Sequence, residues 1–224
     1  MNRMIDAIVY INLAHRADRK IHILSELEKL KSLTTNVHRI DAVLEPMCGH
    51  LGCGKSHVKA LELAIERNWS SILIAEDDLQ FTESSNILVA KLKDVAQCPW
   101  DVLLLGPGHH KIHASEYPHV SKVLSCTCTH GYILKRAYYE TVLENFKGAV
   151  SKMEQEMIAH RNKCIERNEP VTKLNYCSAI DQSWFSLQAR DKFLVFIPPI
   201  GIQKPALYSD NNCSIEYQQK KIAV

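Results

Sequence analysis

The sequence predicts an α/β protein: a mixed sheet covered by helices. Three observations carry this. Short apolar runs recur at residues 7–11, 71–75 and 100–105. Segments with apolar residues at helical spacing lie between them. The run Ile72-Leu73-Ile74-Ala75 then stops abruptly at Glu76-Asp77-Asp78. Strands that are apolar throughout are buried on both faces, as in helix-covered parallel sheets. Alternation of such strands with helices builds that architecture.

Taken in order, AIVYI at 7–11 is β-branched and reads as a first buried strand. Residues 18–30 carry Ile21, Leu24, Leu27 and Leu30 at spacing three, an amphipathic helix. Residues 37–40 form a second short strand. A loop over 45–54 follows, with Ser56 as N-cap of a helix over 58–68. The strand at 71–75 comes next, then a helix over 86–96. WDVLLL at 100–105 is a strand closed by Gly106-Pro107-Gly108.

Beyond this point the alternation loosens. Residues 109–119 read as a polar His- and Pro-rich loop, and 120–129 and 131–134 as strands of mixed direction. Helices are expected over 136–145, 151–168 and 181–189, the second lying on the surface. A last strand spans 192–197 and ends in Pro198-Pro199. The stretch from Gly201 reads as irregular. No internal repeat or low-complexity tract is visible.

The acidic triplet is the most informative segment. Open α/β sheets bind ligands outside the carboxyl ends of their strands. Adjacent carboxylates repel unless a proton or a cation neutralises them. A hard divalent cation with oxygen ligands suits that task, and such ions commonly carry substrate phosphates. The triplet therefore points to a metal-bridged phosphate or nucleotide site.

Bulk numbers set bounds. The 224 residues carry 27 basic and 25 acidic side chains, a net charge of +2. That balance argues against nucleic acid or a membrane surface as the main partner. The apolar run near the N-terminus is short and soon meets Arg16, Asp18 and Arg19, so neither a leader nor a membrane span is expected. The expected location is cytoplasmic, in host cytoplasm if the source is viral. The eight cysteines include no CxxC pair, so free thiols are expected rather than disulfides or structural zinc. Cys126 and Cys128 are expected to share one face of a strand.

GHLGCGKS at 49–56 matches the phosphate-binding pattern G-x-x-x-x-G-K-S. A true phosphate loop needs a buried strand directly before it. Residues 43–48 instead contain Glu45 and Pro46. A nucleotide hydrolase or small kinase thus stands as an alternative. So does a helix N-terminus able to hold an anion.

Several segments, in shared order, resemble glycosyltransferase family 25. Val9-Tyr10-Ile11-Asn12-Leu13 with Arg16, Asp18 and Arg19 resembles its opening strand. Gly52-Cys53-Gly54-Lys55-Ser56-His57 resembles its G-C-x-x-S-H helix start. Leu73 to Asp78 resembles its acidic strand end, and Trp100 to Gly106 a further strand. His130 to Leu134, and Ala179-Ile180-Asp181 with Trp184-Phe185, resemble later stretches. Lys55 departs from a position that is apolar or small in the family. The resemblance implies a GT-A type, Rossmann-like fold over 1–224, with a nucleotide-sugar half to about 108 and an acceptor half after it. It implies a UDP-sugar donor, Mn2+ (or Mg2+), a glycan or glycoprotein acceptor and an inverting transfer. A homo-oligomer and a non-catalytic nucleotide-sugar-binding module are both compatible with it.

Glycosyl transfer needs the departing phosphate neutralised and the acceptor hydroxyl deprotonated. For the first task the candidates are Asp78 and Asp77 as metal ligands, with Glu76 assisting and Asp210 a further candidate. Donor contacts are assigned to Asn12, Leu13, Arg16, Arg19, Ser56, His57, Glu76 and Asp77, the guanidinium groups suiting phosphate. For the second, Asp181 is the candidate general base; its alternative is a plain helix cap. The loop with His109, His110, His113 and His119 is a candidate lid.

Overall fold

The computed structural model describes residues 4–174 and 178–204. Its elements run β1 (Ala7–Asn12), α1 (Ala17–Leu27), β2 (Val37–Asp41), α2 (Gly49–Glu66), β3 (Ser71–Glu76), β4 (Leu79–Phe81) and α3 (Ser85–Val95). Then follow β5 (Val102–Leu104), β6 (His110–Ala114), β7 (Val120–Cys126), β8 (Gly131–Lys135) and α4 (Tyr139–Glu166). The last are α5 (Ile180–Ser183), α6 (Phe185–Arg190), β9 (Phe193–Phe196) and β10 (Gly201–Gln203).

Eight strands form one mixed sheet in the order β2-β1-β3-β8-β5-β9-β7-β6, and β10 pairs with β4 in a separate ribbon. β1 is parallel to β2 and β3, and β5 to β9, while β8 is antiparallel to both β3 and β5. Because β8 inserts between β3 and β5, the second half of the chain is woven into the sheet of the first.

The side-chain alternation of each strand separates two cores. Val9, Ile72, Ile74, Leu104, Tyr132, Leu134 and Val195 face one side, packed under α2 and α4. Ile8, Tyr10, Leu73, Leu103, Ile133 and Leu194 face the other, with α1 and α3 residues such as Ile23, Leu27, Leu88 and Leu92. The central strands are therefore apolar on both faces, which is why they read as continuous apolar runs.

Several expectations are corrected. α2 starts at Gly49, about two turns before Ser56, and Cys48 is its N-cap residue. GHLGCGKS is thus helix, not a phosphate loop. Gly52 and Gly54 serve close packing instead: a Cβ on Gly52 would lie 2.4 Å from the Val43 carbonyl oxygen, and one on Gly54 would lie 3.0–3.1 Å from Met153, Ile180 and Val150. Lys55 pairs with Glu154 at 2.9 Å.

The two helices expected over 136–145 and 151–168 are one, α4, of 28 residues. It runs through Gly148 because Val142, Phe146, Ala149 and Met153 form a buried stripe against the sheet and α2. That burial outweighs the glycine's cost of roughly 1 kcal/mol. Residues 110–114 are an edge strand paired with β7, not loop. Residues 201–203 are β10, paired with β4. Cys128 lies past the end of β7 with φ 79°, so it does not share a strand face with Cys126. The cysteines among the described residues form no disulfide, as expected. Among the described residues no helix is long and apolar enough to cross a membrane.

Candidate active site

β1 and β3 end side by side, with Ile11 opposite Glu76. The pleat sends the acidic triplet to different neighbours. Glu76 lies on the α2 side and meets His57, while Asp77 lies on the α1 side and meets Arg19. The β3–β4 turn holds Asp77 and Asp78, 6% and 8% exposed. All three line one cleft with Asn12, Leu13 and Arg19, with Cys53, Ser56 and His57 of α2, and with Gln203 of β10.

Asp77 is fully engaged. Its Oδ2 accepts from Asn12 Nδ2 at 2.8 Å and its Oδ1 from Arg19 Nη1 at 2.8 Å. Burial still raises its carboxyl above the ordinary range, outweighing the Asn12 hydrogen bond and the Arg19 charge. Asn12 is itself held: its Oδ1 accepts from Arg39 Nε at 3.2 Å, and its Nδ2 also donates to the Arg16 carbonyl at 3.1 Å. Asp77 thus ties the turn to β1 and α1, with one donor on each of its oxygens.

Asp78 differs. Arg19 Nη1 stands 3.8 Å from its Oδ2, while its Oδ1 is buried with no hydrogen-bond partner. Burial, then the charge of Glu76, push its carboxyl up to about 7 despite Arg19. A buried, unsatisfied carboxylate oxygen is costly. It is the group in this cleft that a cation would satisfy.

Glu76 Oε1 accepts from Thr129 Oγ1 at 2.8 Å and lies 3.4 Å from His57 Nε2. Burial raises its carboxyl, but His57 and Thr129 outweigh that and hold it at about 2. His57 is wholly buried, and its Nδ1 meets the Tyr132 hydroxyl at 2.8 Å. Tyr132 packs edge-on against Trp184, the residue between α5 and α6.

That packing also fixes α5. Trp184 also meets Phe146 and Phe193, and Ser183 Oγ donates to Asn145 Oδ1 at 2.8 Å, so α5 is seated firmly on α4 and β9. Gln188 holds the other flank: its Oε1 accepts from Cys126 N and its Nε2 donates to the Cys126 carbonyl. The segment 127–130 between these anchors presents Thr129 to Glu76. Asp181 Oδ2 accepts from Cys128 N at 3.0 Å. Burial raises the Cys53 thiol well above the ordinary range, and the charges of Glu76, Asp181 and Asp78 add to it. Asp181 is thus near enough for its charge to act on Cys53, but it is not among the residues that line the cleft.

The remaining assignments divide. Leu13 lines the cleft. Arg16 is held by Asp18, with contacts of 3.0 and 2.9 Å. Ser56 Oγ donates to the Gly52 carbonyl and accepts from Val43 N, so it ties the helix to the loop before it. The His-bearing segment 110–114 is strand, which limits a moving lid to the residues around it. Asp210 lies outside the described residues. Sequence reasoning missed Cys53, Thr129, Tyr132 and Gln203. The G-C and H-G-Y stretches carried the only signal for Cys53 and Tyr132; Thr129 and Gln203 had none, the latter because β10 exists only by pairing with β4.

The family model of glycosyltransferase family 25 (LPS biosynthesis protein) matches residues 47–153. This stretch, just under half of the chain, is similar to glycosyltransferase family 25. It contains α2, the acidic triplet, Thr129 and Tyr132, while Asn12, Leu13, Arg19 and Gln203 of the cleft lie outside it. That similarity supports glycosyl transfer as the activity class. A search of curated proteins finds no match. Solved structures similar in outline include mannose-1-phosphate geranyltransferase from Thermus thermophilus, at 10% identity, covering 88% of this chain and 74% of that one, TM-score 0.48. They include a glycosyltransferase involved in glycosylation of the major capsid of PBCV-1, at 8% identity, covering 97% and 98%, TM-score 0.44. A197 from STIV is similar at 10% identity, covering 86% and 82%, TM-score 0.42. At those scores nothing further rests on them.

Proposed function

We propose that this protein transfers a sugar from a UDP-sugar to a hydroxyl of a glycan or glycoprotein, with a divalent cation, Mn2+ or Mg2+, held at Asp78. The single observation behind this is the buried Oδ1 of Asp78, without a partner, at the tip of a central strand in the family segment. An all-oxygen site beside a second carboxylate, Glu76, fits a hard cation. When bound, such an ion supplies neutralisation of a leaving diphosphate.

The chain's own residues supply the rest. Arg19 and Asn12 hold the Asp77–Asp78 turn, so that the Asp78 carboxylate stays pointed into the cleft. His57 and Thr129 keep Glu76 ionised. Asp181, in the first turn of α5, takes the acceptor proton, a role suited to inversion. One of its oxygens accepts from Cys128 N, which orients the group. The phosphate-loop alternative is set aside, because its glycines are helical and its lysine is paired to Glu154.

The test is release of UDP from a panel of UDP-sugars, with Mn2+ or with EDTA. Metal-dependent release for one sugar supports the reading. Binding of UDP without any turnover points to a non-catalytic module, and absence of UDP binding sinks the proposal.

A further inference from the structure

Beside the oxygen site of Asp78 lies a chemically different group. Cys53 Sγ, His57 Nε2 and a Glu76 carboxylate oxygen lie within 4.8 Å of one another. All three residues line the cleft. Sulfur, imidazole and carboxylate together form a donor set for a borderline-soft divalent ion rather than a hard one.

The geometry is close to what such an ion needs. Bonds of about 2.0–2.1 Å in a tetrahedron place ligand atoms roughly 3.3–3.4 Å apart. His57 Nε2 and Glu76 Oε1 stand 3.4 Å apart, long for a hydrogen bond and right for two ligands of one ion. Cys53 sits one helical turn before His57 on α2, so its sulfur projects from the same face.

The outer partners are already built. Metal-bound histidines engage their second ring nitrogen with a neighbour that fixes ring and tautomer. His57 Nδ1 has the Tyr132 hydroxyl at 2.8 Å, and Glu76 Oε1 has Thr129 Oγ1 at 2.8 Å. Two of the three ligands are thus oriented by buried groups.

We infer that Cys53, His57 and Glu76 form a second cation site, taking Zn2+ or a similar thiophilic ion, and that its occupation inhibits the enzyme. On binding, the Cys53 thiol gives its proton to solvent and its sulfur bonds to the ion. Glu76 then serves this ion instead of the Asp78 site. The inhibition rests on the transferase reading above; the binding does not.

Co2+ replaces Zn2+ as a coloured probe on the full chain. Wild-type protein shows a thiolate-to-cobalt charge-transfer band that one equivalent of Zn2+ abolishes. Cys53→Ser and Cys53→Ala lose the band, with circular dichroism and thermal midpoint in EDTA reporting that each is folded. Absence of the band in wild type, or its persistence in both folded variants, overturns the site. Micromolar Zn2+ lowers UDP release at least tenfold in wild type and less than twofold in Cys53→Ser. Equal inhibition of both overturns the regulatory part. A band that depends on Cys53 in a protein without any turnover keeps the cation site and rejects the transferase reading instead.

Discussion

Asn12 Nδ2 donates to Asp77 Oδ2 at 2.8 Å and so ties the ends of two neighbouring parallel strands across 65 residues of sequence. Arg19 completes the tie from α1. The turn that carries Asp78 is held by these two contacts. Asn12→Ala removes one and leaves a buried carboxylate oxygen short of a partner. It lowers unfolding free energy by about 1–3 kcal/mol, read by urea denaturation. Asn12→Asp, which sets a second carboxylate against Asp77, is worse than alanine at pH 7.

Asp78 gives a pH signature. Its folded value, about 7, lies above its ordinary 3.8. The folded state therefore holds more protons than the unfolded state between those values, and without divalent cation stability declines as pH rises across that window. Glu76 acts oppositely: its folded value of about 2 lies below 4.5, so its contribution is present above pH 4.5 and lost as pH falls through 2. A cation competes with the Asp78 proton, so Mn2+ affinity rises with pH and levels off above about 7. Asp78→Asn flattens both curves, as followed by thermal midpoint with and without Mn2+.

Asp181 is tested by separating binding from turnover. Asp181→Asn retains a group able to accept from Cys128 N but not one able to take a proton. UDP affinity stays within about twofold, while transfer falls by about 100-fold or more. Unchanged turnover removes Asp181 from the chemistry.

Lys55 separates the two nucleotide readings. Its ion pair with Glu154 is partly exposed, 31% and 45%, and worth about 0–1 kcal/mol. Lys55→Ala leaves UDP release within about twofold, because a surface pair of that size does not shape the cleft. A loss of nucleotide binding there would restore the phosphate-loop reading.

Two helical glycines make opposite predictions. Gly52→Ala drives a Cβ to 2.4 Å from the Val43 carbonyl and costs about 1–3 kcal/mol. Gly148 has nothing within 4 Å, so Gly148→Ala stabilises by about 0.5–1 kcal/mol. Urea unfolding of both variants decides.

The central strands were legible because they are apolar on both faces, and the acidic tip was legible because it ends such a run; β6 and β10 were not, because they are short, polar and defined by their pairing. Cys53-x-x-x-His57 could be read as a motif, yet not as a helix face, because the glycines around it look like loop. α4 escaped because Gly148 and the charged residues after it hide a buried stripe whose partner, α2, lies far back in the sequence. The sequence by itself determined the class of fold, the strand that carries the carboxylates and the family that its central stretch resembles. Only the tertiary structure decided which carboxylate is open. Neighbouring residues of a strand end point to opposite layers, so Asp77 meets Asn12 and Arg19 while Glu76 meets His57 and Thr129. Of the three carboxylates, Asp78 is the one that keeps a buried oxygen without a hydrogen-bond partner among the described residues.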